Sequence, residues 1–419
     1  MQGEAEAPER ADTWLDAPSG AMPQFAPLNC ASAGMAEAEG LLVALLADAA
    51  RRGATHVHLE PQEDALAVRV RASGLLVEVL RLGPAEGDAL VRDLDMMARF
   101  EPDLNGTRRG RICCSARSDL PEAAVTALRV RTGERIVLRL EGAGANARGR
   151  PLVALGMPPA QAGRIAAALD RRAGLVIVSG PAGSGRSTTL RAMLQSLDRS
   201  ARDVVAIEEN FAPALEGVSQ IAAAGDTAGR LRALLPQDPD VVVVENLDDR
   251  ASVLVAVQAA LAGRLVVASV ASGDAVEAIL ALRASTGEPF PLASALTIVL
   301  AQRLVRRLCD ACREPVQAQG STSALLGFDP GAIVYSAVGC ACCEGTGYSG
   351  LTGVFEAIEA DPPLRRLIQD GGDAAILSRH AFLNAPNLGS AARALVREGV
   401  TTPDEAVRIS RGEALVPIC

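Results

Sequence analysis

The stretch LVIVSGPAGSGRSTTL, residues 175–190, decides the fold. Residues 175–178 are an uninterrupted apolar run, the composition of a strand buried on both faces. A glycine-rich turn follows, and a helix opens with Ser187, Thr188 and Thr189. Gly180, Gly185 and Ser187 have the spacing of a phosphate-binding loop. Glycines let backbone N–H groups close around phosphate oxygens, and the helix N-terminus adds a dipole that favours negative charge. On this reading Gly180, Gly183, Ser184, Gly185, Arg186, Ser187 and Thr188 cradle the phosphates of a ligand, with the Ser187 hydroxyl as a ligand for Mg2+. One position breaks the pattern: Arg186 stands where the motif requires lysine.

Composition narrows the class. A chain of 419 residues, 49% apolar, has room for two or three domains with cores of their own. No stretch approaches the ~18 uninterrupted apolar residues of a membrane span, and the opening MQGEAEAPERADTW is acidic and polar, unlike a signal peptide. The expectation from composition is a soluble cytoplasmic α/β protein that does not span a membrane. A net charge of −9 disfavours a dedicated nucleic-acid binder. All 41 basic residues are arginine, so Arg186 also has a compositional reading, drift at a tolerant position. Nine cysteines without a secretory signal suggest a reducing compartment, where paired CxxC motifs mean metal. Cys309 with Cys312 and Cys340 with Cys343 predict a four-thiolate tetrahedral Zn2+ site. Cys342 lies inside the second pair as a competing thiol. Cys30, Cys113, Cys114 and Cys419 lack such spacing and read as packing or surface thiols.

Taken in order, residues 1–36 read as a flexible leader, with Trp14 either a docking residue or part of an unstructured tail. Residues 37–141 read as a small α+β domain. It has a helix from Glu37 to Gly53, strands at 55–60, 65–71 and 75–80, a helix near 85–99, and strands at 111–117 and 124–140. His56 and His58, two apart on a strand, share a face; without further ligands nearby, His58 reads as a hydrogen-bonded structural histidine. GAGANARGR, 142–150, is a linker. Over 151–308, a helix from Pro158 to Arg172 precedes strands at 175–179, 203–208, 241–245 and 265–270. These alternate with helices at 187–199, 226–235, 251–262 and 274–284, which predicts a parallel sheet covered on both faces. The run PLASALTIVLAQRLVRRLC, 291–309, reads as one further helix. Arg303, Arg306 and Arg307 at its end read as a solvated face that suits the dipole, or else as a contact for an acidic partner or nucleic acid. Residues 309–355 form a tetracysteine zinc insert, and 356–419 a C-terminal segment of short helices.

These motifs resemble the type II secretion and type IV pilus assembly ATPases. The resemblance is carried by THVHLEP (55–61), GERIVLRL (133–140), GPAGSGRSTTL (180–190) and LLPQDPDVVVVENLDDR (234–250). It continues through VQAALAGRLVVASVASGDA (257–275), LAQRLVRRLC (300–309), GCACCEGTGYSGLTGVFE (339–356) and REGVTTPDEAVRIS (397–410). It implies a RecA-like P-loop domain beside the small N-terminal domain, in a hexameric cytoplasmic ring, peripheral to the inner membrane and not spanning it, that serves an inner-membrane secretion or pilus platform.

Several positions depart from the family pattern. After the strand at 241–244 the family has Gly-Glu, with the glutamate polarising the attacking water; here the pair is Glu245-Asn246. The acidic box appears as Glu208, Glu209, Asn210, Phe211 and Ala212. Ala271 takes the place of the box histidine, Ala124 that of an arginine reaching across the ring, and Leu351 that of the arginine ending GYxGR. Glu208, Glu209, Glu245 and the degenerate Asn246 are thus the candidate catalytic residues. The expectation is an ATP binder with little turnover, in a homo-hexamer or in a mixed ring with an active paralogue. The alternative is an active motor; a nucleic-acid protein with a zinc ribbon is disfavoured by the charge.

Overall fold

The computed structural model describes residues 39–72, 75–100, 107–112, 121–141, 150–208, 215–223, 225–318, 320–329, 331–343 and 345–413. The leader with Trp14, and Cys30, Cys113, Cys114, Glu209 and Cys419, lie outside them.

The first unit opens with helix α1 (Glu39–Arg51), where Leu42, Leu45, Leu46 and Ala49 recur at helical spacing and are fully buried. Strands β1 (Ala54–Pro61), β2 (Leu66–Ala72) and β3 (Leu75–Leu82) follow, then helix α2 (Pro84–Met97). Glu86 accepts the Gly83 N–H at its start, and Pro84 presets the first turn. Strands β4 (Ala98–Phe100), β5 (Thr107–Ile112), β6 (Glu122–Val130) and β7 (Gly133–Glu141) complete an antiparallel sheet in the order β3-β2-β1-β7-β6-β5-β4. The single strand expected at 124–140 is a hairpin, β6 and β7. Val57, Leu59, Val68, Val70, Ile136 and Leu138 point into the core with α1 and α2, whereas His56 shares a row across the sheet with Arg71 and Arg139.

The second unit begins with α3 (Pro159–Leu169), β8 (Gly174–Ser179), α4 (Arg186–Ser196), β9 (Val204–Glu208) and β10 (Ser219–Ala222). It continues with α5 (Thr227–Leu234), β11 (Val241–Val244), α6 (Arg250–Leu261), β12 (Leu265–Val270), α7 (Ala275–Thr286), α8 (Pro289–Ala295) and β13 (Leu296–Leu308). A two-stranded ribbon, β14 (Arg313–Gln317) and β15 (Ile333–Ala337), encloses the short helix α9 (Gly320–Leu326). Last come β16 (Tyr348–Glu359), α10 (Pro362–Gln369), α11 (Ala374–Ala381), α12 (Leu388–Arg397) and α13 (Pro403–Ser410). The sheet order is β10-β9-β11-β12-β8-β13-β16, parallel except for β16. Alternate residues serve opposite layers: Val176 and Val178 pack with α3 and α4, Leu175 and Ile177 with α6 and α7. That two-sided burial is why the strands read as continuous apolar runs. Asp226, Asp249 and Asp274 each accept a backbone N–H three residues on and start α5, α6 and α7.

The helix expected at 291–309 is instead α8 followed by a thirteen-residue strand, β13, between β8 and β16. Its arginines do not form a solvated face. Arg303 is 7% exposed and donates to the carbonyls of Gly273 and Gly412. Arg306, 5% exposed, pairs with Glu405, which also accepts from Arg408. Only Arg307 of the three stays exposed, beside Asp310. Glu356 on β16 ties the C-terminal helices to the sheet: its two oxygens accept the N–H groups of Ala275 on α7 and Leu388 on α12. Burial pushes its carboxyl up to about 6, against the pull of those two donors.

Candidate nucleotide site and four-thiolate centre

β8 delivers Ser179 at its C-terminal end, and Gly180, Gly183 and Gly185 carry the chain through φ values of 158°, 76° and 88° into α4. These are conformations that side chains resist. Space is limiting too, because a Cβ on Gly180 would lie 2.6 Å from the Gln302 carbonyl oxygen. The N-cap of α4 is Gly185, which has no side chain to bond the first N–H groups of the helix, the donors that a phosphate would meet. Ser184 Oγ is buried without a hydrogen-bond partner among the described residues, a polar atom available to the loop. Ser187 and Thr188 are exposed at the helix start, and Arg186 is half-buried.

The end of strand β11, which β12 separates from β8 in the sheet, brings the acidic partner. Ser187 Oγ donates to Glu245 Oε1 at 2.8 Å, although the two lie 58 positions apart. Glu245 N donates to Ile207 O at 2.9 Å, and Ser269 Oγ on β12 donates to the Glu245 carbonyl. Asn246 Nδ2 donates to Asp248 Oδ2 at 2.6 Å. Glu208, at the end of β9, accepts from Gln220 at 3.0 Å. Ala271 is exposed in the loop after β12. The structure therefore brings the loop, Ser187, Glu245 and Asn246 to the C-terminal edge of one parallel sheet, where such folds bind ligands. The donor set fits a magnesium nucleotide: an open helix N-terminus, a hydroxyl and a carboxylate side by side.

Beyond the sheet, the Sγ atoms of Cys309, Cys312, Cys340 and Cys343 all lie within 4.8 Å of one another. Sulfur–sulfur distances are 3.9 Å for Cys309–Cys340 and 3.7 Å for Cys312–Cys343 and Cys340–Cys343. A tetrahedron with Zn–S bonds of about 2.3 Å has edges of about 3.8 Å, so the four thiols fit zinc in spacing as well as chemistry. Burial raises the Cys343 thiol, but N–H donors at Cys340 and Gly347 outweigh it and bring the group down to about 6. Cys342 is exposed and outside the four.

His58 departs from expectation. It is 9% exposed, and neither ring nitrogen has a hydrogen-bond partner among the described residues. Sequence reasoning also missed Gln302, whose amide reaches the phosphate loop from β13. Its one signal is a polar residue inside a strand's apolar run.

Fold and site define a RecA-like P-loop α/β protein carrying a four-cysteine ribbon and a helical C-terminus. Residues 31–408 match the family described as Type II/IV secretion system protein, and the chain belongs to that family. The type II secretion system protein E of Pseudomonas aeruginosa is 38% identical over 380 residues, covering 89% of this chain and 75% of that protein. The type II secretion system ATPase E of Vibrio cholerae is 34% identical over 380 residues, covering 88% and 75%. Among solved structures, the Legionella pneumophila ATPase DotB superposes with a TM-score of 0.62 at 15% identity, over 88% of this chain and 95% of that one. The pilus retraction motor PilT with bound ADP gives 0.61 at 19% identity, over 88% and 96%. At these identities the structural likeness is one of fold. No helix among the described residues is long and apolar enough to cross a membrane.

Proposed function

We propose that this chain binds ATP with Mg2+ at the loop between β8 and α4 and turns it over slowly or not at all. It then acts as a subunit of a cytoplasmic ring on an inner-membrane secretion or pilus machine, in a homo-hexamer or beside an active paralogue. The observation that carries this reading is an ordered phosphate cradle next to a neutral amide. The Ser187–Glu245 contact at 2.8 Å supplies one hydroxyl and one carboxylate for Mg2+. Bound there, the ion would neutralise charge on the β- and γ-phosphates. Asn246 cannot accept a proton from water, and loss of a positioned general base commonly costs ~10²–10⁴ in rate. Arg186 keeps the positive charge but not the compact ammonium of lysine. Ala271 offers no polar group. The relatives' names support the assignment to secretion.

A second reading, an active motor, is favoured by one contact: the Asp248 carboxylate is hydrogen-bonded to Asn246 at 2.6 Å and puts an acid beside it. Steady-state turnover with Mg2+ and saturating ATP separates the two. The proposal expects binding of a fluorescent ATP analogue with turnover below ~0.1 s⁻¹. Turnover of ~1 s⁻¹ or more, within the usual enzyme range, abolished by Ser187→Ala and by Asp248→Ala, establishes the motor. Arg186→Lys, Asn246→Glu and Ala271→His together are expected to raise turnover more than any one alone, since such groups act as a unit.

A further inference from the structure

We infer that Gln302 is a positioning residue for the phosphate loop: its amide fixes the Ser184 carbonyl and thereby the direction of the N–H groups that meet a nucleotide. This rests on the nucleotide-binding reading above. Gln302 lies in β13 one residue past the pair Ala301–Ser179, beside the strand that feeds the loop, and is 1% exposed. Its Nε2 donates to Ser184 O at 2.7 Å across 118 positions of chain, so no local turn imposes the contact.

The geometry gives the bond a direct consequence. In a planar trans peptide the C=O and the following N–H point opposite ways. Drawing the Ser184 carbonyl toward β13 therefore turns the Gly185 N–H away from β13, outward from the strand that holds the loop. The fit is close, since a Cβ on Gly185 would lie 3.2 Å from Gln302 Nε2.

The other end of the amide argues that the donor is what matters. Gln302 Oε1 is buried with no hydrogen-bond partner among the described residues. Burying an amide with its acceptor unused is unfavourable, and an unbranched apolar side chain of similar size would fill the same space without that cost. Such a side chain lacks only the N–H that reaches Ser184. The next residue, Arg303, points to the other face of the sheet. It donates to Gly273 O through Nε and Nη2 at 3.2 and 3.0 Å. Two consecutive side chains of β13 thus brace the loops that follow β8 and β12.

The test titrates a fluorescent ADP analogue with Mg2+ into the full-length wild type, Gln302→Met and Gln302→Asn. Amide exchange over 183–187 is followed in the nucleotide-free proteins, with Tm alongside. Methionine keeps the bulk without the donor; asparagine keeps the donor one methylene short, and carries the test if the methionine variant does not fold. The expected result is a Kd raised about tenfold and exchange over 183–187 accelerated, with the nucleotide-free Tm little changed. A lowered Tm with unchanged Kd would mean a purely structural residue and overturn the inference. So would unchanged Kd and exchange in a folded variant, with nucleotide binding by the wild type left standing. Failure of the wild type itself to bind would overturn the inference and the nucleotide reading together.

Discussion

At the scale of single residues, His58, which has no hydrogen-bond partner among the described residues, shows how burial couples stability to pH. Burial, then the His56 ring 6.0 Å away, then Arg71, lower its pKa from 6.5 to about 4, against the opposing pull of Glu60. Between those two values the folded chain holds fewer protons than the unfolded chain. The contribution is therefore fully present above pH 6.5 and is lost as pH falls toward 4. Within that window each pH unit costs up to about 1.4 kcal/mol for this one proton. His56 is shifted the same way by burial, Arg71 and Arg139, so removing His58 leaves a residual slope. Urea unfolding of wild type and His58→Leu at pH 7 and pH 5 is the measurement. The variant is expected to lose less stability across that interval than the wild type; equal losses would show that the folded protein does not hold His58 neutral.

At the scale of elements, β13 links both candidate sites, with Gln302 at the phosphate loop and Cys309 just past its end. Seven residue steps at no more than about 3.3 Å each, with a register shift between Arg306 and Leu308, put them at most about 23 Å apart. The ribbon is closed by the thiols and by a few backbone bonds, among them Cys309 N to Gly347 O at 2.9 Å. Metal analysis is expected to give one zinc per chain. Chelation should free four thiols to titration and lower Tm, yet leave the Kd for ADP within about twofold, because the cradle is closed by its own contacts to β13. Absence of stoichiometric zinc, with the four thiols already reactive, would refute the centre. The cradle and the cysteine pairs were legible because each is a contiguous or regularly spaced motif. The Asp-capped helices and the β-branched runs of β8, β11 and β12 were legible for the same local reason. β13 was not: its apolar half fits helix or strand alike, and the partners that bury its arginines, Gly412 and Glu405, lie about a hundred positions away. Gln302 escaped for the same cause.

At the scale of the molecule, the open question of chemistry becomes one of assembly. We propose that the chain joins a ring and contributes architecture or regulation rather than force. Ring contacts are heterologous, one face of a protomer meeting a different face of the next, and closure follows from the rotation between them. Packing and charge complementarity at such faces do not require an activated water, so assembly can outlast catalysis. Nucleotide should strengthen this ring less than that of an active relative. Ala124, where the family is expected to place an arginine crossing the interface, carries only a methyl group between its cross-strand neighbours Arg111 and Arg139. Light scattering with ATP and Mg2+ is the test, on the chain alone and then with an encoded paralogue. Six chains of 43.2 kDa give a mass of about 260 kDa. The expected result is that mass alone or on mixing, changing little when ATP is withdrawn. A strictly monomeric mass in both experiments would reject the ring, and a ring that falls apart without ATP would show that another group does the work expected of the missing arginine.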